Sequence, residues 1–298
     1  MPALSRQCLL AAQHRSCRNC PCCRIVEREY EKLMSRLLVL RSSEPVRARG
    51  LFQRVAGFVP QAALVDAVPA GDDAPAAPGK TVSHDQGFYI DGEPLIQRGK
   101  SEELSAYRAT ANLRTDQLMS VIGEPPLQQG VFRYRQFLCA VVGQLQPTAA
   151  RAHHTADLPV SLRDNLRGRS EAELFFLGLL GNLHDADPAY LTTAELSAEA
   201  AVAVLAKMLR QAVPDEAGTG VVAALSHGDM LVIARRGQSS LHYQVTSEGQ
   251  TPAQGQKVTL AVAEVGSTPV FGESNAVPDG KALVLAARGS RPMLITLA

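Results

Sequence analysis

The stretch SEAELFFLGLLGNL, residues 170–183, decides the fold together with TAELSAEAAVAVLAKMLRQAV, residues 193–213. Both stretches carry apolar residues at helical spacing and predict two successive helices. Thr192 or Thr193 is placed to cap the second helix, and its acidic start and basic end suit the helix dipole. Strand-like runs precede and follow this pair, an order that predicts an α+β fold with largely antiparallel sheets.

The region before the helices contains strand-like segments and one helical pattern. Residues 37–40 form a short apolar run that is typical of a buried strand. Residues 87–97 indicate a hairpin with Asp91-Gly92 at its turn. Residues 102–118 have the spacing of a helix, and residues 131–142 predict one continuous strand.

A series of strands is predicted after the helices, with a His227-Gly228-Asp229 turn between the first two. The predicted strands are residues 221–225, 230–235, 241–245, 257–265, 282–287 and 292–297.

Composition excludes several function classes. The 298 residues carry a net charge of +1, so no global field favours nucleic acid or an anionic membrane. The chain lacks Trp and is 5% aromatic, which argues against a stacking platform for single-stranded nucleic acid. No apolar run approaches the ~18 residues of a membrane-spanning helix. The apolar stretch near residue 1 is too short for the hydrophobic region of a signal peptide. We therefore expect a cytoplasmic protein without nucleic-acid or membrane partners.

The first part of the chain differs from the rest. Residues 1–54 have a net charge of +7 and the remainder −6, and five of the six cysteines lie in the first 23 residues. Because Cys139 is the only cysteine elsewhere, a disulfide framework for the fold is excluded. The weak zinc candidates are Cys17, Cys20, Cys22 and Cys23. All lie in one short segment, whereas structural zinc sites normally join two separate ligand pairs, so no cofactor is expected and zinc is kept as an alternative.

Read from Met34, the chain resembles the class II glutamine amidotransferases, and it is similar to the compact branch that includes the γ-glutamyl amidohydrolase of ergothioneine biosynthesis. The resemblance rests on several short segments in the family's order. They are MSRLL at 34–38, DQGFYIDGEP at 85–94, VFRYRQFLCAVVGQ at 131–144 and RSEAELF at 169–175. It implies a four-layer αββα Ntn-hydrolase sandwich over residues 34–298, with residues 1–33 as an extension that is either disordered or upstream of the true start.

The resemblance also assigns site positions. Ser35 stands where the family has its nucleophilic Cys, and it could act only as the first residue after processing at Met34, because an Ntn nucleophile uses its own α-amine as base. The family's oxyanion Asn-Gly corresponds to Val142-Gly143. The Arg for the glutamine carboxylate corresponds to Ile122, and the Asp for its amine corresponds to Ser170, or to Glu171 if the match is shifted by one residue.

Three hypotheses follow. In the first, the protein is catalytically degenerate and acts as a binding or scaffold protein for an amide or amino-acid-like ligand, a protein partner or a second copy of itself. In the second, it is an active glutamine or γ-glutamyl amide hydrolase that uses Ser35. In the third, the cysteine-rich residues 1–33 bind zinc and the remaining domain is passive.

Overall fold

Two antiparallel β-sheets and a pair of helices make up the described part of the protein. The computed structural model describes residues 36–47, 81–102, 112–123, 130–145, 158–165, 170–192, 195–213, 220–248, 256–265, 274–286 and 291–297. The strands are β1 (Arg36–Arg47), β2 (Thr81–Ile90), β3 (Glu93–Glu102), β4 (Arg114–Gly123), β5 (Gly130–Tyr134), β6 (Phe137–Gly143), β7 (Gly220–His227), β8 (Met230–Gly237), β9 (Ser239–Glu248), β10 (Gln256–Val265), β11 (Asn275–Ala276), β12 (Lys281–Leu285) and β13 (Met293–Thr296). The helices are α1 (Val160–Arg163), α2 (Glu171–Ala186) and α3 (Ala198–Ala212), with a 3₁₀ helix at Pro188–Leu191.

The strands form one seven-stranded and one six-stranded sheet. The seven-stranded sheet has the order β11-β9-β10-β1-β4-β2-β3, and the six-stranded sheet has the order β13-β12-β8-β7-β6-β5. Every pairing within the described strands is antiparallel, which confirms the predicted sheet type.

The two sheets bury an apolar layer between them. Leu37 and Val39 of β1 pack in one cluster with Leu138, Ala140 and Val142 of β6. Successive residues of a strand point to opposite faces, so these alternating positions define the inner face of each sheet.

The helices cover the outer face of the six-stranded sheet. Phe137, Cys139 and Val141 of β6 pack in a second cluster with α2 and α3. Strand β6 therefore has apolar neighbours on both faces, and all seven of its residues are buried. This explains why its sequence is a continuous apolar run instead of an alternating one.

The four-layer prediction also requires helices on the seven-stranded sheet. That part of the prediction lies outside the described residues. The outer face of that sheet is nevertheless buried at Leu38, Leu40, Leu118 and Ile122. The predicted boundary between residues 1–33 and 34–298 also lies outside the described ranges.

Helix α2 confirms the first predicted helix, and α3 begins later than predicted. Its N-cap is Ser197, whose hydroxyl accepts a hydrogen bond from the Ala200 amide at 3.1 Å. Thr192 instead ends the 3₁₀ helix, so the prediction of Thr192 or Thr193 as the cap was wrong. The 3₁₀ helix ends at Thr192, and α3 begins only after Ser197.

Two further sequence interpretations were wrong. Residues 131–142 form the β5–β6 hairpin, with Arg135 at φ 51° in the turn, instead of one strand. Residues 114–118, assigned to a helix, belong to β4. Their neighbours on β1 and β2 bury them, which outweighs a local helical pattern.

Candidate functional site

The candidate site lies at the end of the sandwich where β1 begins. Arg36, the first residue of β1, is paired with Ile122 of β4, and Ile122 is paired with His84 of β2. Ser35, the predicted nucleophile position, lies outside the described residues. The register nevertheless identifies the strands that surround the start of β1.

Val142 lies in the apolar layer between the sheets. Its side chain is fully buried, in one cluster with Leu37 and Val121. The next residue, Gly143, has φ +115°, and a Cβ there would collide with the Gly220 backbone. Gly143 is thus a position that only glycine fills without displacing the neighbouring strand.

The Ile122 side chain points away from the layer between the sheets that contains Val142. Its neighbour Val121 belongs to the layer between the sheets, so alternation along β4 directs Ile122 to the outer face of the seven-stranded sheet. Ser170 lies elsewhere again, at the start of α2, where its Oγ accepts a hydrogen bond from the Glu173 amide at 3.2 Å. The three side chains therefore belong to three different layers of the molecule.

An ion pair joins the two sheets near this end. Asp85 of β2 and Arg98 of β3 approach to 3.3 Å between Oδ2 and Nε. The same Oδ2 accepts a hydrogen bond from the Val131 N–H at 3.4 Å, and Arg98 Nη2 donates to the Val131 carbonyl at 2.8 Å. Burial raises the pKa of Asp85 above its usual value, and the Arg98 charge opposes that shift.

Aromatic contacts extend this ion pair to the helical layer. The Arg98 guanidinium lies 5.7 Å from the ring centroid of Phe132, and Phe132 stacks on Phe176 of α2 at 6.1 Å. A single arginine of the seven-stranded sheet thus contacts the edge of the six-stranded sheet and, through one ring, the helix beyond it.

The sequence contained the signal for this pair, which sequence reasoning missed. Asp91-Gly92 forms the predicted two-residue turn, with φ values of 52° and 81°. A two-residue turn fixes the register of the hairpin, and that register places Asp85 directly opposite Arg98. Opposite charges at paired positions were therefore readable once the turn had been identified.

His84 is a second buried ionisable group at this end. Its imidazole lies over Gly99, where a Cβ would approach Cε1 to 2.6 Å. Within the described part of the chain, its buried Nδ1 has no hydrogen-bond partner. Burial lowers the pKa of His84, which favours the neutral ring.

The described residues hold no group of His, Cys, Asp or Glu that could bind a metal ion. The zinc candidates Cys17, Cys20, Cys22 and Cys23 lie outside the described ranges. Cys139 is a buried free thiol, and burial raises its pKa, so it is an inert core residue. None of the helices in the described ranges is long and apolar enough to cross a membrane.

A buried polar network lies at the opposite end of the sandwich. Arg41 donates to Gln117 and to the carbonyls of Gly228 and Asp229, at 3.2 and 2.8 Å for the carbonyls. Gln117 donates to Ser226, which in turn contacts the hydroxyl of Tyr89 at 3.2 Å. Arg41 is five residues, or about 16 Å of extended strand, from the start of β1. This network joins the sheets away from the candidate site.

Comparison with known proteins supports the fold. No family model and no curated protein matches the sequence. A glutamine aminotransferase class-II domain protein from Silicibacter pomeroyi has a similar structure, with a TM-score of 0.52, 17% sequence identity, and coverage of 88% of this chain and 99% of that one. A predicted glutamine amidotransferase from Pseudomonas aeruginosa PA01 aligns with a TM-score of 0.46 and 13% identity, covering 88% and 99% of the two chains. The protein therefore has an α+β fold of the Ntn-hydrolase type, similar to that of class II glutamine amidotransferase domains.

Proposed function

We propose that this protein has the class II glutamine amidotransferase fold without glutamine hydrolysis, and that it acts as a binding or scaffold protein. The observation that carries the proposal is Val142. Its side chain is fully buried among apolar neighbours, at the position where the family resemblance expects an asparagine that donates to the oxyanion. Removing one such donor typically lowers kcat by about 10²–10³.

Recognition of free glutamine has little support from the other positions. Each charge of a bound α-amino acid needs a partner, and a buried charge without one is strongly unfavourable. Ile122 offers no charge and lies on the outer face of its sheet. The Ser170 hydroxyl already caps α2. A ligand of this site would therefore lack the α-carboxylate and α-ammonium groups of free glutamine, or would bind them through other residues.

An active hydrolase that uses Ser35 is the second candidate, and Gly143 favours it. The glycine of the expected oxyanion pair is present, with the positive φ that only glycine adopts readily. This candidate requires processing at Met34, because Ser35 needs a free α-amine to activate its hydroxyl.

Mass and activity together separate the two candidates. The full chain and a version that begins at Met34 are purified, their intact masses are measured, and glutamate release is followed with glutamine and with γ-glutamyl amides. We expect no hydrolysis above that of the Ser35→Ala variant. The exposed Ser161→Ala variant is the matched control for loss of a serine. A mature chain that begins at Ser35 and hydrolyses an amide, with activity lost only in Ser35→Ala, would overturn the proposal.

A further inference from the structure

Among the described strands, β5 forms an edge of the six-stranded sheet, and side chains of the other sheet contact that edge. Edge strands present unpaired N–H and C=O groups that can pair with another chain. Every second residue of β5 directs these groups away from β6. Val131 is one of them, because its N–H and C=O meet side chains of the other sheet.

Asp85 and Arg98 take the place of a neighbouring strand at Val131. The carboxylate accepts from the Val131 N–H, as a strand's carbonyl would, and the guanidinium donates to the Val131 carbonyl, as a strand's N–H would. The two side chains also contact each other. Both backbone groups of Val131 are therefore satisfied without an added strand.

The surroundings hold this pair in place. A Cβ at Gly130 would collide with the Asp85 carboxylate, so glycine is needed at the start of β5 for the carboxylate to approach. The Arg98 guanidinium packs over Phe132. Asp85 is mostly buried and Arg98 is half exposed, so the pair closes the edge from the solvent side.

We propose that the Asp85–Arg98 pair caps the β5 edge and prevents a second copy of this chain from adding its own β5 there. A second copy of the chain could pair with this edge, because the charged side chains of β5 would not repel each other in that pairing. Antiparallel pairing centred on Phe132 would place Val131 opposite Arg133 of the other copy, so the two Arg133 side chains would not face each other. Val131 and Arg133 both direct their backbone groups outward, which is the pattern that such a pairing uses. This inference does not depend on the proposed function.

The other exposed edges differ from β5. Strand β3 carries Glu93, Arg98 and Lys100, and charges of this kind discourage strand addition. Strand β13 has no charged residue, and Met293 and Leu294 are exposed on it. At β5 the edge is instead blocked by side chains from the opposite sheet.

Sedimentation and hydrogen exchange of the full chain test the cap. The Asp85→Ala/Arg98→Ala double variant is compared with wild type over a concentration series. We expect its mass to rise with concentration beyond that of wild type. In the dilute variant, the Val131 amide should exchange roughly tenfold faster, the ratio for a lost hydrogen bond of about 1.4 kcal/mol. Arg163→Ala/Asp185→Ala, which removes one exposed residue of each charge from helices α1 and α2 and leaves every described strand edge unchanged, is the control.

A third substitution makes the assignment to β5 specific. Val131→Pro removes the N–H that strand addition needs, and added to the double variant it should return the mass to that of wild type. The single variant Arg98→Ala, at a half-exposed residue, provides the same test if the double variant unfolds. Unchanged mass and unchanged Val131 exchange in the folded variants would overturn the proposal, as would an association that Val131→Pro leaves intact.

Discussion

Among single residues, Val142 and Gly143 occupy the positions that the resemblance assigns to the family's oxyanion pair. Val142 contributes a fully buried apolar side chain where a donor is expected, whereas Gly143 keeps its positive φ. A glycine in the left-handed region therefore follows a side chain that carries no hydrogen-bond donor. Asp85 is the ionisable group at this end whose burial has a measurable consequence.

On mild acidification, wild type should gain stability relative to the Asp85→Asn variant. Burial raises its pKa in the folded state, so the folded chain binds this proton more tightly than the unfolded chain does. The contribution of Asp85 to stability therefore increases as the pH falls through the folded-state pKa towards the unfolded value near 3.9. Urea unfolding between pH 7 and pH 4 should show wild type gaining stability relative to Asp85→Asn.

The exposed Asp279→Asn variant controls for the general effect of removing one carboxylate. A loss of wild-type stability relative to Asp85→Asn on acidification would contradict the expectation. It would mean that the attraction of Arg98, and not burial, dominates the energetics of Asp85.

At the scale of the elements, the β2–β3 hairpin depends on its turn. Asp91 and Gly92 both have positive φ, and a Cβ at Gly92 would meet no atom within 4 Å. A substitution at Gly92 therefore changes backbone preference without a steric collision. The turn also sets the register that places Asp85 opposite Arg98.

Gly92→Ala should destabilise the protein by roughly 1 kcal/mol, the cost of holding a residue with a Cβ in the left-handed region. Gly92→Asn should lose less, because asparagine tolerates that conformation. Urea unfolding at neutral pH measures both. Equal losses in the two variants would indicate that side-chain contacts, and not the backbone conformation, account for the change.

The sequence predicted those elements whose signals are local. The Asp-Gly turn and the apolar face of α2 are examples, and both were confirmed. The β5–β6 turn was missed because Arg135 at φ 51° carries no turn signature. The N-cap of α3 was missed because a 3₁₀ helix intervenes. Val142 and Ile122 lie in different layers because of sheet pairing, which no local pattern contains.

For the whole molecule, the two ends of the sandwich have different chemistry. At the end where β1 begins, the apolar cluster that contains Leu37 and Val142 lies between the sheets, and the Asp85–Arg98 pair contacts Val131 beside it. The opposite end contains the network of Arg41, Gln117, Ser226 and Tyr89, which spans both sheets. Burial raises the pKa of Tyr89 to about 12, so its hydroxyl stays protonated and donates to the Gln136 carbonyl at 2.7 Å.

Arg41→Met should therefore destabilise the whole sandwich by about 3 kcal/mol, because it leaves Gln117 and the carbonyls of Gly228 and Asp229 without their donor. Arg133→Met, at an exposed arginine of β5, should change stability by less than about 0.5 kcal/mol. The Arg41→Met/Gln117→Met pair should cost less than the sum of its single variants, since each single variant already disrupts their shared hydrogen bond. Strictly additive losses in urea unfolding would show that the Arg41–Gln117 hydrogen bond contributes nothing, and that Arg41 acts through the Gly228 and Asp229 carbonyls instead.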